Sequence, residues 1–238
     1  MRETDLKAKI LEEIRAAEPT RVWTPADFAV LGARDAVDKV LQRLAKSAEL
    51  RRIERGLYDR PRINSLTKKP TSPDYREVLA ALARRDQIRM LVDGMTAAND
   101  LGLTDAVPAH VIVHTDARRR AITLGNLTIE FKLTAPSKLY WADRPAMRVV
   151  QALHWLKDML PDDEKRIMSR LAAILDDPHH GLMIRQDLES GLKALPAWMQ
   201  RIVRLLLINK SVSSKDAAQS DRPHPKKPAS TASRKAAP

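Results

Sequence analysis

Val37, Val40, Leu41 and Leu44 recur at i, i+3, i+4 and i+7 between Arg34 and Ser47, the spacing that lays a buried stripe along one side of an α-helix. Just upstream, Thr24-Pro25-Ala26-Asp27 reads as a helix start: a hydroxyl cap, proline where no N–H is needed, and a carboxylate three residues on. Phe28 and Leu31 give that short helix its buried side, and Gly32 ends it with the backbone freedom a tight turn demands. Leu6, Ile10, Leu11 and Ile14 form the stripe of an opening helix over residues 3–18. Past Ser47, Leu50, Ile53 and Leu57 anchor two short strands about the turn Arg55-Gly56. Helix, turn, helix and hairpin in that order predict a winged helix-turn-helix in residues 1–69.

Thr67-Lys68-Lys69-Pro70-Thr71-Ser72-Pro73 is polar and proline-punctuated, so a domain boundary is expected there. Beyond it the pattern predicts a helix over 73–85, a strand over 88–92, a helix over 95–101 and strands over 111–114 and 121–124. Gly125-Asn126 then turns the chain into Leu127-Thr128-Ile129-Glu130-Phe131-Lys132-Leu133, whose alternation puts four apolar side chains on one face. Helical periodicity follows: Met147, Val150, Leu153, His154 and Leu156, then Ile167, Leu171, Ile174 and Leu175, then Trp198 to Ile208. The expected class is α+β, with a mixed domain over 71–208 that ends in helices. From Asn209 the chain is Lys-, Ser-, Ala- and Pro-rich without aliphatic periodicity, so residues 209–238 are expected to be a disordered basic tail.

Charge sharpens the picture of the first domain. Arg34, Lys39, Gln42, Arg43 and Lys46 lie opposite the buried stripe of the second helix, where such donors reach bases and phosphates from the major groove. A solvated helix face mixes charges in the same way, and Asp35 and Asp38 repel phosphate. The hairpin adds Arg51, Arg52, Arg55, Tyr58, Arg60 and Arg62. Residues 34–69 hold eleven Lys or Arg against five Asp or Glu, whereas residues 71–208 hold nineteen against seventeen. That concentration is the footprint of a polyanion site, and double-stranded DNA is the expected partner. Seven Lys or Arg against two Asp in the tail add weak phosphate contacts or simply solubilise the terminus.

The whole chain of 238 residues carries a formal charge of +12 and no cysteine, which excludes disulfides and thiolate chemistry. Its first residues show no apolar stretch of signal-peptide length, and Leu205-Leu206-Leu207-Ile208 is too short to span a bilayer. A cytoplasmic protein without membrane contact is expected.

Two constellations offer the residue types of an enzyme site. Asp116, Glu130 and Lys132 have the spacing of a metal-dependent nuclease, but an alternating strand exposes Thr128, Glu130 and Lys132 whatever the chemistry. Asp176-Asp177-Pro178-His179-His180-Gly181 offers metal ligands, yet its proline and glycine mark a helix-ending turn. Ser47 and Ser65 lack a readable base, no Gly-rich phosphate loop is present, and Trp141, Trp155 and Trp198 lie among aliphatics as core residues do. The expectation is a non-enzymatic chain with no catalytic residues, metal or cofactor.

Gly32-Ala33-Arg34-Asp35-Ala36-Val37, Leu41-Gln42-Arg43-Leu44, Leu50-Arg51-Arg52-Ile53 and Arg55-Gly56-Leu57-Tyr58, closed by Pro61, resemble the N-terminal domain of AbiEi-type antitoxins. Gly94-Met95-Thr96-Ala97-Ala98 with Leu101-Gly102-Leu103 is similar to a helix of that family's second domain, and Leu195-Pro196-Ala197-Trp198-Met199 to the end of one subfamily. The resemblance covers most of residues 20–208. It departs at Ala33, where Ser or Thr would cap the recognition helix, a loss of typically about 1 kcal/mol. It implies the antitoxin of a type IV toxin–antitoxin pair, of the kind associated with phage defence. Such a protein represses its own operon and counteracts a nucleotidyltransferase-like toxin, by direct contact or indirectly. A stand-alone winged-helix transcriptional regulator and a winged-helix nuclease are the alternatives, and the oligomeric state stays open.

Overall fold

The expected α+β class holds: eight α-helices and two sheets make up residues 3–219, the part of the chain that the computed structural model describes. After Asp187 the chain divides into two compact units.

The first unit begins with α1 (Glu3–Ala16), which buries Leu6, Ile10 and Ile14. Strand β1 (Val22–Trp23) leads into Pro25–Phe28, a single 3-10 turn in place of the short α-helix expected from the same residues. Asp27 explains why that turn forms at all. Its carboxylate accepts from the Thr24 N–H at 2.7 Å and the Thr24 hydroxyl at 3.0 Å, pairing donors at the start of the turn that no carbonyl within it can reach. Helix α2 (Arg34–Lys46) follows, with Val37, Val40, Leu41 and Leu44 all 2 % exposed or less. Ala33 precedes it in extended conformation without a side-chain cap, as its methyl dictates. Ala48 (φ 58) ends it in the left-handed region where glycine is usual.

Strands β2 (Arg51–Glu54) and β3 (Leu57–Asp59) form the hairpin, turned by Gly56 at φ +73 and bulged between Arg52 and Glu54. β3 is central, so the order is β1-β3-β2. One core joins this sheet to α1 and α2: Trp23 and Phe28 stack with centroids 5.0 Å apart among Leu41, Leu44, Leu50 and Tyr58.

Residues 67–73, expected to be a boundary between domains, lie inside this first compact unit. Ile63 bridges Pro70, and Asn64 Oδ1 accepts from the N–H groups of Leu66 and Thr67, so a pinned loop stands where a linker was expected. Helix α3 (Tyr75–Asp86), capped by Asp74, then returns to pack against β1 and β3.

The second sheet, of order β4-β5-β7-β6, contains β4 (Met90–Val92), β5 (His110–Thr115), β6 (Ile122–Leu124) and β7 (Leu127–Leu133). β5 and β7 pair in parallel while the other pairs are antiparallel. Of the four apolar side chains on one face of β7 only Ile129 is fully buried; Leu133 is 56 % exposed because the strand outruns its cover. Helix α4 (Gly94–Asp100) is capped by Asp93, which also accepts from Ile112 N of β5, tying helix to sheet. A Cβ at Gly94 would come within 2.6 Å of Trp155 Cβ, so only glycine permits α4 to approach α5 (Met147–Leu156) this closely.

Helix α6 (Leu160–Leu175) and α7 (Gly181–Gly191) follow. α7 was not foreseen, because its apolar residues are few and Leu182 and Met183 remain exposed. In the second unit, α8 (Ala197–Gln219) buries Met199, Val203 and Leu206. The helix continues through Gln219, past the point at which the tail was expected to lose order; the rest of that tail, 220–238, lies outside the described residues. No helix among the described residues is long and apolar enough to cross a membrane.

Candidate nucleic-acid interface

The α2 stripe fixes what the helix presents outward. With Val37, Val40, Leu41 and Leu44 in the core, Arg34, Lys39, Gln42, Arg43 and Lys46 are all exposed. Arg34 does not extend freely: its Nε donates to Asp38 Oδ2 at 3.1 Å, one turn along. Asp38, which seemed out of place beside phosphate, therefore orients an arginine.

The hairpin divides its expected site residues into two groups. Arg52 and Arg55 are exposed, and Arg60 is half-buried. Arg51 and Tyr58 are held within the fold. Arg51 donates from Nε to Asp59 Oδ1 at 2.9 Å and from Nη1 to Thr71 O at 2.8 Å, so its guanidinium closes the sheet and the following loop. Tyr58 is 2 % exposed, packed in the core from the central strand, and burial pushes its hydroxyl up from the ordinary tyrosine pKa.

Three arginines that sequence reasoning missed hold the first sheet in place, two of them at the hairpin and one at β1. Arg85 at the end of α3 donates to Arg55 O at 2.6 Å and Glu54 Oε1 at 2.8 Å. Arg119, between β5 and β6, reaches the same Glu54 oxygen at 2.8 Å and also binds Asp86. Hydrogen bonding from Arg85 holds the Asp86 carboxyl below the usual range, outweighing its partial burial. Arg84 reaches Val22 O of β1 at 3.3 Å and lies 3.8 Å from Asp27. The turn that carries Arg55 is thus bolted to α3 at its backbone while the Arg55 side chain stays exposed. A local sequence signal for this was limited to the adjacent pair Arg84-Arg85, with nothing to name partners some thirty to sixty residues away.

The acidic groups of the two constellations have partners within the fold. Asp116 accepts from Arg89 N at 3.1 Å and Nε at 3.2 Å, and Glu130 pairs with His110 at 3.1 Å. Lys132 is exposed on β7 opposite His114, whose ring burial and the nearby lysine push below the ordinary histidine value. Asp177 accepts from the backbone N–H groups of His179 and His180 in a turn before α7, and Asp176 pairs with Arg185. Among the described residues no three His, Cys, Asp or Glu converge as a metal site.

A comparison with curated proteins finds no match. A family described only as being of unknown function (DUF6088) matches residues 9–176, from α1 to the end of α6. With that much of the chain covered, this protein is a member of the DUF6088 family.

Proposed function

We propose that residues 1–69 are a winged helix-turn-helix that binds double-stranded DNA, and that the protein represses its own operon through it. The observation that carries this reading is α2, whose inner face is wholly buried while its outer face exposes Arg34, Lys39, Gln42, Arg43 and Lys46. Exposed Arg52 and Arg55 on the adjoining hairpin supply backbone contacts. The element order α1, β1, turn, α2, β2, β3 supports the same module. The resemblance to AbiEi-type antitoxins extends the proposal to a non-enzymatic, cytoplasmic antitoxin that counteracts a nucleotidyltransferase-like toxin.

Fluorescence anisotropy on duplexes from upstream of the gene, against shuffled duplexes, tests the DNA-binding part. Arg34→Ala and Gln42→Ala should erode discrimination between the two, because base contacts specify and phosphate contacts position. If about six phosphates are engaged, log affinity falls against log salt with a slope near −5. Wild-type discrimination in both variants would remove α2 from the site. Co-expression with the adjacent gene tests the antitoxin part: growth arrest that this protein does not relieve would end it.

A further inference from the structure

A cavity of about 490 Å³ opens between α3, β4, the residues leading into α5 and the start of α7. It contains none of the residues assigned to DNA. Leu79, Ala83, Met90, Val92, Met147 and Ile184 make its wall largely apolar. Three guanidinium groups, Arg76, Arg144 and Arg148, share that wall with a single carboxylate, Asp143.

The volume lies in the range of small-molecule sites, where an apolar wall with a few fixed polar groups is the usual design. The arginines are fixed from behind. Asp100, 4 % exposed, accepts from Arg76 Nε at 3.0 Å and Arg148 Nε at 2.9 Å. Asp187 accepts from Arg144 Nε at 2.9 Å, and that guanidinium also stacks 4.6 Å from the Tyr140 ring. Guanidinium groups so anchored keep their rotamers, so little side-chain ordering is needed when a ligand arrives. Burial pushes the Asp143 carboxyl upward, which weakens its opposition to a second negative charge.

We propose that this cavity binds a small amphipathic anion, its hydrocarbon body against the α3 and β4 wall and its acidic head at Arg76, Arg144 and Arg148. Octanoate is the probe, titrated calorimetrically into the intact 238-residue chain, with octylammonium and acetate as controls for the two halves of the ligand. Saturable binding of one octanoate is expected, at least tenfold tighter than either control. Arg148→Gln should weaken it by roughly tenfold, the loss of a charge-assisted hydrogen bond. Ala83→Phe, which fills the cavity from a half-buried helix position, should abolish it with the circular dichroism of the protein unchanged. Octylammonium binding as tightly as octanoate, non-saturating uptake, or full octanoate binding in folded Ala83→Phe protein would overturn the proposal.

Discussion

The hairpin-and-α2 region and the region from α3 to α7 are both rich in arginine, but they use it in opposite ways. From α3 onward several arginines are consumed in internal pairs: Arg76 and Arg148 on Asp100, Arg89 on Asp116, Arg144 on Asp187, Arg185 on Asp176. In the first region Lys39, Lys46 and Arg55 stand exposed, on a surface where residues 34–69 carry a formal excess of six positive charges. Such pairing fixes individual guanidinium groups, which suits stability or a small built site, whereas the local excess in residues 34–69 suits an extended polyanion. Arg51 shows that the distinction is made residue by residue, since it sits in the basic region and is nonetheless held by Asp59 and Thr71.

Breaking a consumed pair should produce the largest effect. Asp100→Ala strands Arg76 and Arg148 and removes the acceptor of the Tyr75 hydroxyl. Urea unfolding should show a loss of about 3 kcal/mol, the lower end for a broken buried pair because both arginines are partly exposed. The same residue sets a pH dependence. Burial pushes the Asp100 carboxyl up, but hydrogen bonds from Arg76, Tyr75 and Arg148 outweigh that and hold it below the usual range. A carboxyl depressed in the folded state contributes stability that is complete above its unfolded pKa of about 3.9 and is lost as pH falls below it. Asp100→Asn should flatten that acid limb.

An unconsumed cation should behave in the converse way. Arg55→Ala or Lys39→Ala should reduce DNA affinity roughly tenfold and make the salt slope shallower by about 0.9, with stability within about 0.5 kcal/mol of wild type. Arg89→Ala is the matched control, because it changes the same charge on a paired residue and should leave DNA affinity alone. Equal losses of affinity in Arg55→Ala and Arg89→Ala would erase the contrast between the regions. The smallest effect is expected at the end of α2: Ala48→Gly relieves a left-handed alanine (φ 58) and should add about 0.5–1 kcal/mol.

Elements whose evidence is local were legible in the sequence. The α2 stripe, the alternation of β7 and the Gly125-Asn126 turn appear where period and turn chemistry put them. Residues whose role depends on a distant partner were not. Tyr58 reads as an exposed polar ring until β3 proves central, with β1 on its other edge. Arg51 reads as a phosphate ligand until Thr71 returns beside it. Arg85 and Arg119 carry no local sign that Glu54 lies between them. For the same reason a Pro-rich stretch resembled a linker, although the ties holding α3 to the first sheet are made by residues beyond it.

The parallel pairing of β5 with β7 has a kinetic consequence. β6 and β7 are adjacent in sequence and joined by a two-residue turn, whereas β5 must wait for the intervening chain to close before it can pair. Hairpins of this kind zip in about 1–10 μs, while non-local parallel pairing is intrinsically slow. β7 therefore meets β5 with one edge already occupied by β6, which leaves a single edge for docking and suppresses the mispaired order. A lesion in the turn at Gly125, whose φ of +67 disfavours other residues, should accordingly appear in the refolding rate of the chain as well as in its equilibrium stability.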